Sequence, residues 1–215
     1  MRAHAHRSLG GAPVSVLRGG ADRTSPKNQR LKLVTHCTLM NIAQSSAADL
    51  PAIARVQRLA FGRDDEAQLA LDLLRDPTAQ PSLSLLAYDN AQPIGHILFT
   101  DLSLHGSACS VACAILAPLA VLPGFQRQGL GRALIERGVA ALTERGVGLV
   151  FVLGDPNYYT GRGFSPASPR GLQAPYQIEP DQAWMVRPLK PDLLGNVGGR
   201  LSCAASLAAP KYWRE

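Results

Sequence analysis

The stretch from Leu116 to Ile135 constrains the fold more than any other part of the chain. It runs as an apolar strand to Val121, turns, and enters a helix past Gly129 and Gly131. That order leaves several free backbone N–H groups at the head of the helix, where partial positive charge accumulates. The glycines remove the side chains that would keep an anion's oxygens away, so a diphosphate fits there. Pro118 adds a second constraint. A proline in a central strand removes one ladder donor and belongs at a bulge or a break. The strand therefore splays from its neighbour near Pro118 and leaves unpaired backbone groups beside the glycine turn.

The 215 residues have room for one domain with a large core, plus tails. A formal charge of +6 invites a nucleic-acid reading, but its location argues against one. Of 22 basic and 16 acidic residues, seven basic and one acidic lie in residues 1–40, which leaves fifteen of each in 41–215. The neutral domain also lacks basic–aromatic patterning, so no nucleic-acid partner is expected. Cys37, Cys109, Cys113 and Cys203 are too few and too scattered for a disulfide scaffold. The Cys109/Cys113 pair has only His105 nearby, and no metal is expected. The longest apolar run, Val111 to Phe125, is too short to span a bilayer and carries Pro118, Pro123 and Gly124. No membrane partner is expected, and the location read from these features is cytoplasmic.

Taken in order, residues 1–37 are rich in Arg, Ser and Gly and show no sustained period. They read as a disordered extension; organelle targeting, or a start site displaced upstream of Met40, are the alternatives. A strand from Thr38 to Ala43 opens the domain. Asp49 is expected to cap a first helix carrying Ile53, Val56 and Leu59, ended by Gly62. A second helix, with Asp64, Asp65 and Glu66 in its first turn, stops before Pro77. A hairpin pairs Leu83 to Tyr88 with Ile94 to Leu104, and Gly95 marks a bulge or a close backbone approach. The long helix is expected over 129–145, closed by Gly146. Short strands follow at Leu149 to Leu153 and Trp184 to Leu189. Residues 191–215 are weakly patterned and are left as a tail of uncertain structure.

Gln126, Gly129 and Gly131 match the (Arg/Gln)-x-x-Gly-x-(Gly/Ala) signature of the GNAT superfamily of acyl-CoA-dependent N-acetyltransferases, which this chain resembles. Leu119 to Val121 before the loop, and Tyr159 with Gly163 and Phe164 after it, match in the same order. Leu153 to Tyr159 resembles a bacterial subgroup of predicted acetyltransferases. The resemblance covers about 38–190, the segment taken as the N-acetyltransferase domain. It implies an α/β fold with a mixed sheet: mostly antiparallel strands, a splayed fourth and fifth strand pair, and helices on both faces.

The resemblance also assigns roles. Amides of Arg127, Gln128, Gly129, Leu130, Gly131 and Arg132 would hold the diphosphate of acetyl-CoA, supported by the side chain of Gln126 or Arg127. Backbone at Leu119, Ala120 and Val121 would pair with the pantetheine arm, and Asn157 would bond to it. An amide of the splayed strand would stabilise the oxyanion as an amine attacks. Tyr159 occupies the usual position of the acid that protonates the departing thiolate, with Tyr158 as second candidate; packing CoA against the sheet is the alternative role. For the base, His96, Asp101, His105 and an ordered water all stay open. Arg162 and Arg170 read as solvated or structural. The expected activity is acetyl transfer from acetyl-CoA to a primary amine by direct attack. A non-catalytic acyl-CoA-binding or sensing module is the alternative. The acceptor has no code in the sequence, and a homodimer is compatible with it.

Overall fold

The structure, a computed structural model, describes residues 40–213. The extension, Cys37 and the first two residues of the expected opening strand lie outside the described residues. Within them the chain runs β1 (Met40–Gln44), α1 (Leu50–Phe61), α2 (Asp65–Arg75), β2 (Leu83–Asp89), β3 (Gln92–His105), β4 (Cys113–Val121) and α3 (Leu130–Glu144). It continues with β5 (Leu149–Leu153), α4 (Pro156–Tyr159), β6 (Ser165–Pro166), β7 (Leu172–Gln173), β8 (Trp184–Pro188) and β9 (Gly199–Cys203). The sheet has the order β1-β2-β3-β4-β5-β8-β6, with β9 pairing β3 and β7. Of these strand pairs, β4–β5 and β7–β9 are parallel and the others antiparallel. The expected mixed α/β fold is the one observed.

Helices cover both faces, and alternation along β3 shows how. Gly95, Ile97 and Phe99 share one face because side chains in a strand point alternately. Toward that face α3 approaches so closely that a β-carbon on Gly95 would lie 3.0 Å from Leu134 Cδ1, and one on Gly138 would lie 2.6 Å from Phe99 Cζ. His96 points the other way, to Gln57 of α1. Both readings of Gly95 hold together. It meets α3, and it stands beside a register shift in which Ala87 pairs Gly95 while Tyr88 pairs Pro93, skipping Ile94.

Two local expectations change. Asp49 does not cap α1 with its side chain. A short 3₁₀ turn at 47–49 runs straight into the helix, so the capping moves upstream: Ser46 Oγ accepts from Ala48 N–H at 3.3 Å and Asp49 Oδ2 accepts from Ser46 N–H at 2.7 Å. At the other end Gly62, with φ +71°, donates its N–H to the Arg58 carbonyl, as a left-handed helix stop does.

The segment beyond residue 190 joins the sheet. β9 pairs Arg200–Cys203 with Leu102–His105, covering the end of β3 that β2 leaves free. Trp213 packs on Trp184 with ring centroids 5.8 Å apart, and Trp184 stacks on Phe151 at 5.1 Å. Asp76, just past α2, takes the Ser206 N–H at 2.8 Å, and Thr78 Oγ1 takes the Ala205 N–H at the same distance.

Candidate functional site

β4 is shared by two partners over part of its length only. It pairs with β5 from Cys113 to Ile115, against Leu149 to Phe151. Beyond that point β5 continues along β8, and β4 stays with β3 as far as the Val121–Gly95 pair. Ile97 lies opposite Leu119 and Phe99 opposite Leu116, so Ala117 and Pro118 face the single residue Leu98. That is a bulge, and it holds the one residue with no N–H to contribute. Leu116 to Val121 thus keeps one hydrogen-bonded neighbour and presents its other edge to a gap. Leu119 and Val121 are half-buried along it, and Ala120 is buried.

The same strand leads directly into the head of α3. Arg127 and Gly129 take left-handed backbone conformations, φ +60° and +87°, which swing the chain into the helix at Leu130. The amides from Arg127 to Arg132 donate to no acceptor among the described residues; the first helical bond over this turn is Ala133 N–H to the Gly129 carbonyl at 3.0 Å. These donors lie where the helix dipole is positive, and the exposed Arg127 and Arg132 add formal charge. Gln126 is otherwise engaged. Its Nε2 donates to the Val121 carbonyl at 2.9 Å, and Gln128 Nε2 does the same to Gly124. The Gln126 amide braces the turn between strand and helix.

α4 supplies the remaining expected residues. Asp155 caps it, accepting from Asn157 N–H at 2.9 Å, and the Asn157 side chain returns to the same carboxylate at 3.1 Å. Tyr159 is buried, edge-on to Tyr158 at 4.9 Å and to Phe164 at 5.5 Å. It also packs so tightly on Gly154 that a β-carbon there would lie 2.6 Å from Tyr159 Cε2. Burial raises the Tyr159 phenol well above its ordinary range, so it holds its proton at neutral pH. Tyr158 is half-buried, and its Oη reaches the first turn of α3, where it fills the space a β-carbon on Gly131 would need.

Among the base candidates His96 is fully buried and bonded at both nitrogens, 2.6 Å from Gln57 Nε2 and 2.9 Å from Ser84 Oγ. Burial lowers it to about 3, and the ring is a neutral core group. His105 Nε2 lies 2.8 Å from Ser202 Oγ at the β9 end of β3, remote in register from Ala120. Asp101 is opposite Ala114, and burial raises its carboxyl. Cys113 is buried with its thiol raised to about 12, chiefly by burial and then by Asp101. No group of three His, Cys, Asp or Glu residues among the described residues could hold a metal ion, and no helix there is long and apolar enough to cross a membrane.

Arg162, read from the sequence as solvated or structural, makes structural contacts here, and it does so with Arg187 and Glu136, which sequence patterning passed over. Arg162 lays its guanidinium over the Tyr158 ring, 3.5 Å from the centroid, and donates Nη1 to the Tyr158 carbonyl. Arg187 of β8 grips Glu136 of α3 at 2.8 and 3.0 Å and donates to the Arg162 carbonyl at 2.9 Å. The pairs span up to fifty-one residues, and no local period marks them.

A sheet opened beside a helix head carrying free amides offers adjoining places for an extended arm and an anion, and comparison with known proteins assigns the class, an acetyltransferase. Residues 50–164 match the acetyltransferase (GNAT) family, and the chain belongs to it. It is 41% identical over 174 residues to the uncharacterized N-acetyltransferase YjhQ of Escherichia coli strain K12, covering 80% of this chain and 94% of that protein. The crystal structure of the E. coli GNAT family N-acetyltransferase YhbS in complex with CoA superposes with a TM-score of 0.71 at 31% identity, over 79% of this chain and 92% of that one. A GNAT family acetyltransferase from Brucella melitensis in complex with acetyl-CoA gives 0.62 at 27% identity, over 79% and 99%.

Proposed function

We propose that the chain transfers the acetyl group of acetyl-CoA to a primary amine by direct attack. The observation that carries this reading is the continuity of two donor arrays: the open edge of β4 after Ile115 leads directly into the unpartnered amides of Arg127 to Arg132. The second array suits a diphosphate, and the first suits an extended amide-bearing arm that adds to the sheet as a strand would. The order of the two along the chain matches the order of diphosphate and pantetheine in the donor. The CoA and acetyl-CoA complexes of the two similar structures support the same donor.

In this reading the amides of Arg127, Gln128, Gly129, Leu130, Gly131 and Arg132 bind the diphosphate. Backbone at Leu119, Ala120 and Val121 holds the arm, and an amide of the opened strand faces the thioester carbonyl. The amine nitrogen attacks that carbon, the carbonyl oxygen takes negative charge, and the carbon–sulfur bond then breaks. Tyr159 gives its phenolic proton to the departing sulfur as the carbonyl reforms, the surplus proton on nitrogen leaves to water, and the phenolate takes a proton back from water. Asn157 bonds to the arm with the part of its side-chain amide that Asp155 does not hold.

Thiol release from acetyl-CoA across a panel of primary amines, with mass detection of the acetylated product, tests the reading. Release with at least one amine, and CoA binding lost in Gly129→Val, are expected. Tight CoA binding with no release for any amine would instead support a non-catalytic acyl-CoA module.

A further inference from the structure

Contacts around Tyr158 form a closed ring. Glu136 of α3 holds Arg187 of β8, and Arg187 holds the Arg162 carbonyl. Arg162 stacks on the Tyr158 ring and bonds its carbonyl, and the Tyr158 hydroxyl returns to Gly131, again on α3. Each link fixes the next. The Arg162 Nε is buried with no partner of its own, so the guanidinium sits there without full hydrogen bonding. An incompletely paired cation costs free energy, and what it does here is press one aromatic ring into one place.

That place is the head of α3. A β-carbon on Gly131 would collide with Tyr158 Oη, and its next neighbours would be Tyr158 Cζ at 3.6 Å and Val121 Cγ2 at 3.9 Å. The hydroxyl therefore lies against Gly131 in the first turn of α3, with the Val121 side chain at the end of β4 close to the same point. Gly131 is demanded here by Tyr158 rather than by its own backbone, which is helical.

We propose that the Tyr158 hydroxyl is a ligand-binding donor to the diphosphate of the acyl-CoA, and that Arg162 is the positioning residue that holds it there. The proposal rests on the acyl-CoA reading above. The hydroxyl extends the row of amide donors from a second element, so the diphosphate is gripped from α3 and α4 together. A hydrogen bond to a charged phosphate oxygen is stronger than one to a neutral acceptor. Arg162 contributes without touching the ligand, through the ring it stacks on and the carbonyl it binds.

Calorimetric CoA titration of the full chain and its variants tests both parts, with urea midpoints measured alongside to verify folding. Tyr158→Phe is expected to weaken CoA binding roughly tenfold or more, and Arg162→Leu to do the same. Arg162→Lys keeps the cation over the ring and recovers most of the affinity. The double variant Tyr158→Phe/Arg162→Leu binds no more weakly than Tyr158→Phe alone, because Arg162 acts through the hydroxyl. Gly131→Ala weakens binding in the parent but not further in the Tyr158→Phe background, where the space is free. Pantetheine, which lacks the diphosphate, competes equally against parent and Tyr158→Phe.

Unchanged CoA affinity in a folded Tyr158→Phe overturns the donor role. A further loss from Arg162→Leu in that background overturns the positioning role, and pantetheine discriminating between the two proteins moves the contact off the diphosphate. If the parent itself does not bind CoA, the acyl-CoA reading fails and not this inference alone. If it binds and only Gly129→Val weakens it, the reading stands and the inference fails.

Discussion

Gln57 Nε2 of α1 lies 2.6 Å from His96 Nδ1 of β3, with both side chains fully buried. The imidazole is thereby an acceptor at Nδ1, and its Nε2–H is free to donate to Ser84 Oγ. Protonation would put the ring's second hydrogen on Nδ1, which already faces an amide donor inside the core. The folded ring is held at about 3 and an unfolded one titrates near 6.5. A depressed folded value means the contribution is complete above about pH 6.5 and is lost as pH falls toward 3. The loss runs up to about 1.4 kcal/mol per pH unit. Urea midpoints from pH 7.5 to 5 are expected to fall in the parent and to stay nearly level in His96→Gln. A parent with no slope in that window would contradict a buried neutral ring.

Gly138 lets α3 approach the sheet closely at Phe99. A β-carbon there would lie 2.6 Å from Phe99 Cζ and 3.3 Å from Cδ2, and Phe99 is itself fully buried with nowhere to retreat. Gly138→Ala raises helix propensity but overpacks the interface, and the second effect is the larger. A net loss of about 2 kcal/mol is expected in chemical denaturation. Gly138→Ala with Phe99→Leu is expected to recover part of it, since the smaller side chain vacates the collision.

Asp76 ties the end of α2 to the C-terminal segment. Its carboxylate accepts from Thr78 N–H at 2.8 Å, Thr78 Oγ1 at 2.6 Å and Ser206 N–H at 2.8 Å. Those hydrogen bonds, the one from the Thr78 hydroxyl foremost, lower the carboxyl below its ordinary range. The lowered value means the stabilisation is present above about pH 4 and is lost as pH falls below it. Asp76→Ala is expected to cost about 2 kcal/mol at pH 7. Hydrogen exchange should rise first in residues 199–207, the part of the tail nearest the broken tie; uniform loosening would show that Asp76 has no special hold on it.

Tyr159→Phe is expected to lower turnover roughly 100-fold while CoA affinity changes little, because the phenol is proposed to act on the leaving sulfur and not on the bound donor. Its raised value keeps it protonated up to alkaline pH, so turnover should not decline through the ordinary phenol range near 10. Steady-state rates against pH, with CoA titrations of the variant, check both statements. Parent-like turnover in the variant would remove Tyr159 from the chemistry and leave it as packing for Gly154 and Phe164.

Much of the backbone shape at the candidate site is legible in the sequence. Gly129 needs the left-handed conformation it adopts, Pro118 needs the bulge it occupies, and the strand-turn-helix order follows from the apolar run between Leu116 and Ile135. Each is a constraint that a residue places on its own backbone or its immediate neighbours, which is why one sequence reveals it. Asp49 lies at the limit of such local constraint: the capping chemistry is present, but which of several polar residues begins the turn depends on where the chain emerges from β1.

What tertiary structure alone decided is which distant side chains meet. His96 became a core group because Gln57, thirty-nine residues away, faces it. The segment after residue 190 joined the sheet because β3 is longer than β2 and leaves Leu102 to His105 uncovered, where β9 pairs before taking β7 as its other neighbour. Of two adjacent tyrosines, Tyr159 was turned into the core and Tyr158 toward Gly131, under an arginine whose sequence context carries no signal. Backbone conformation is governed by the residues bonded to it, whereas burial, pairing and proton affinity are governed by whatever the fold brings alongside.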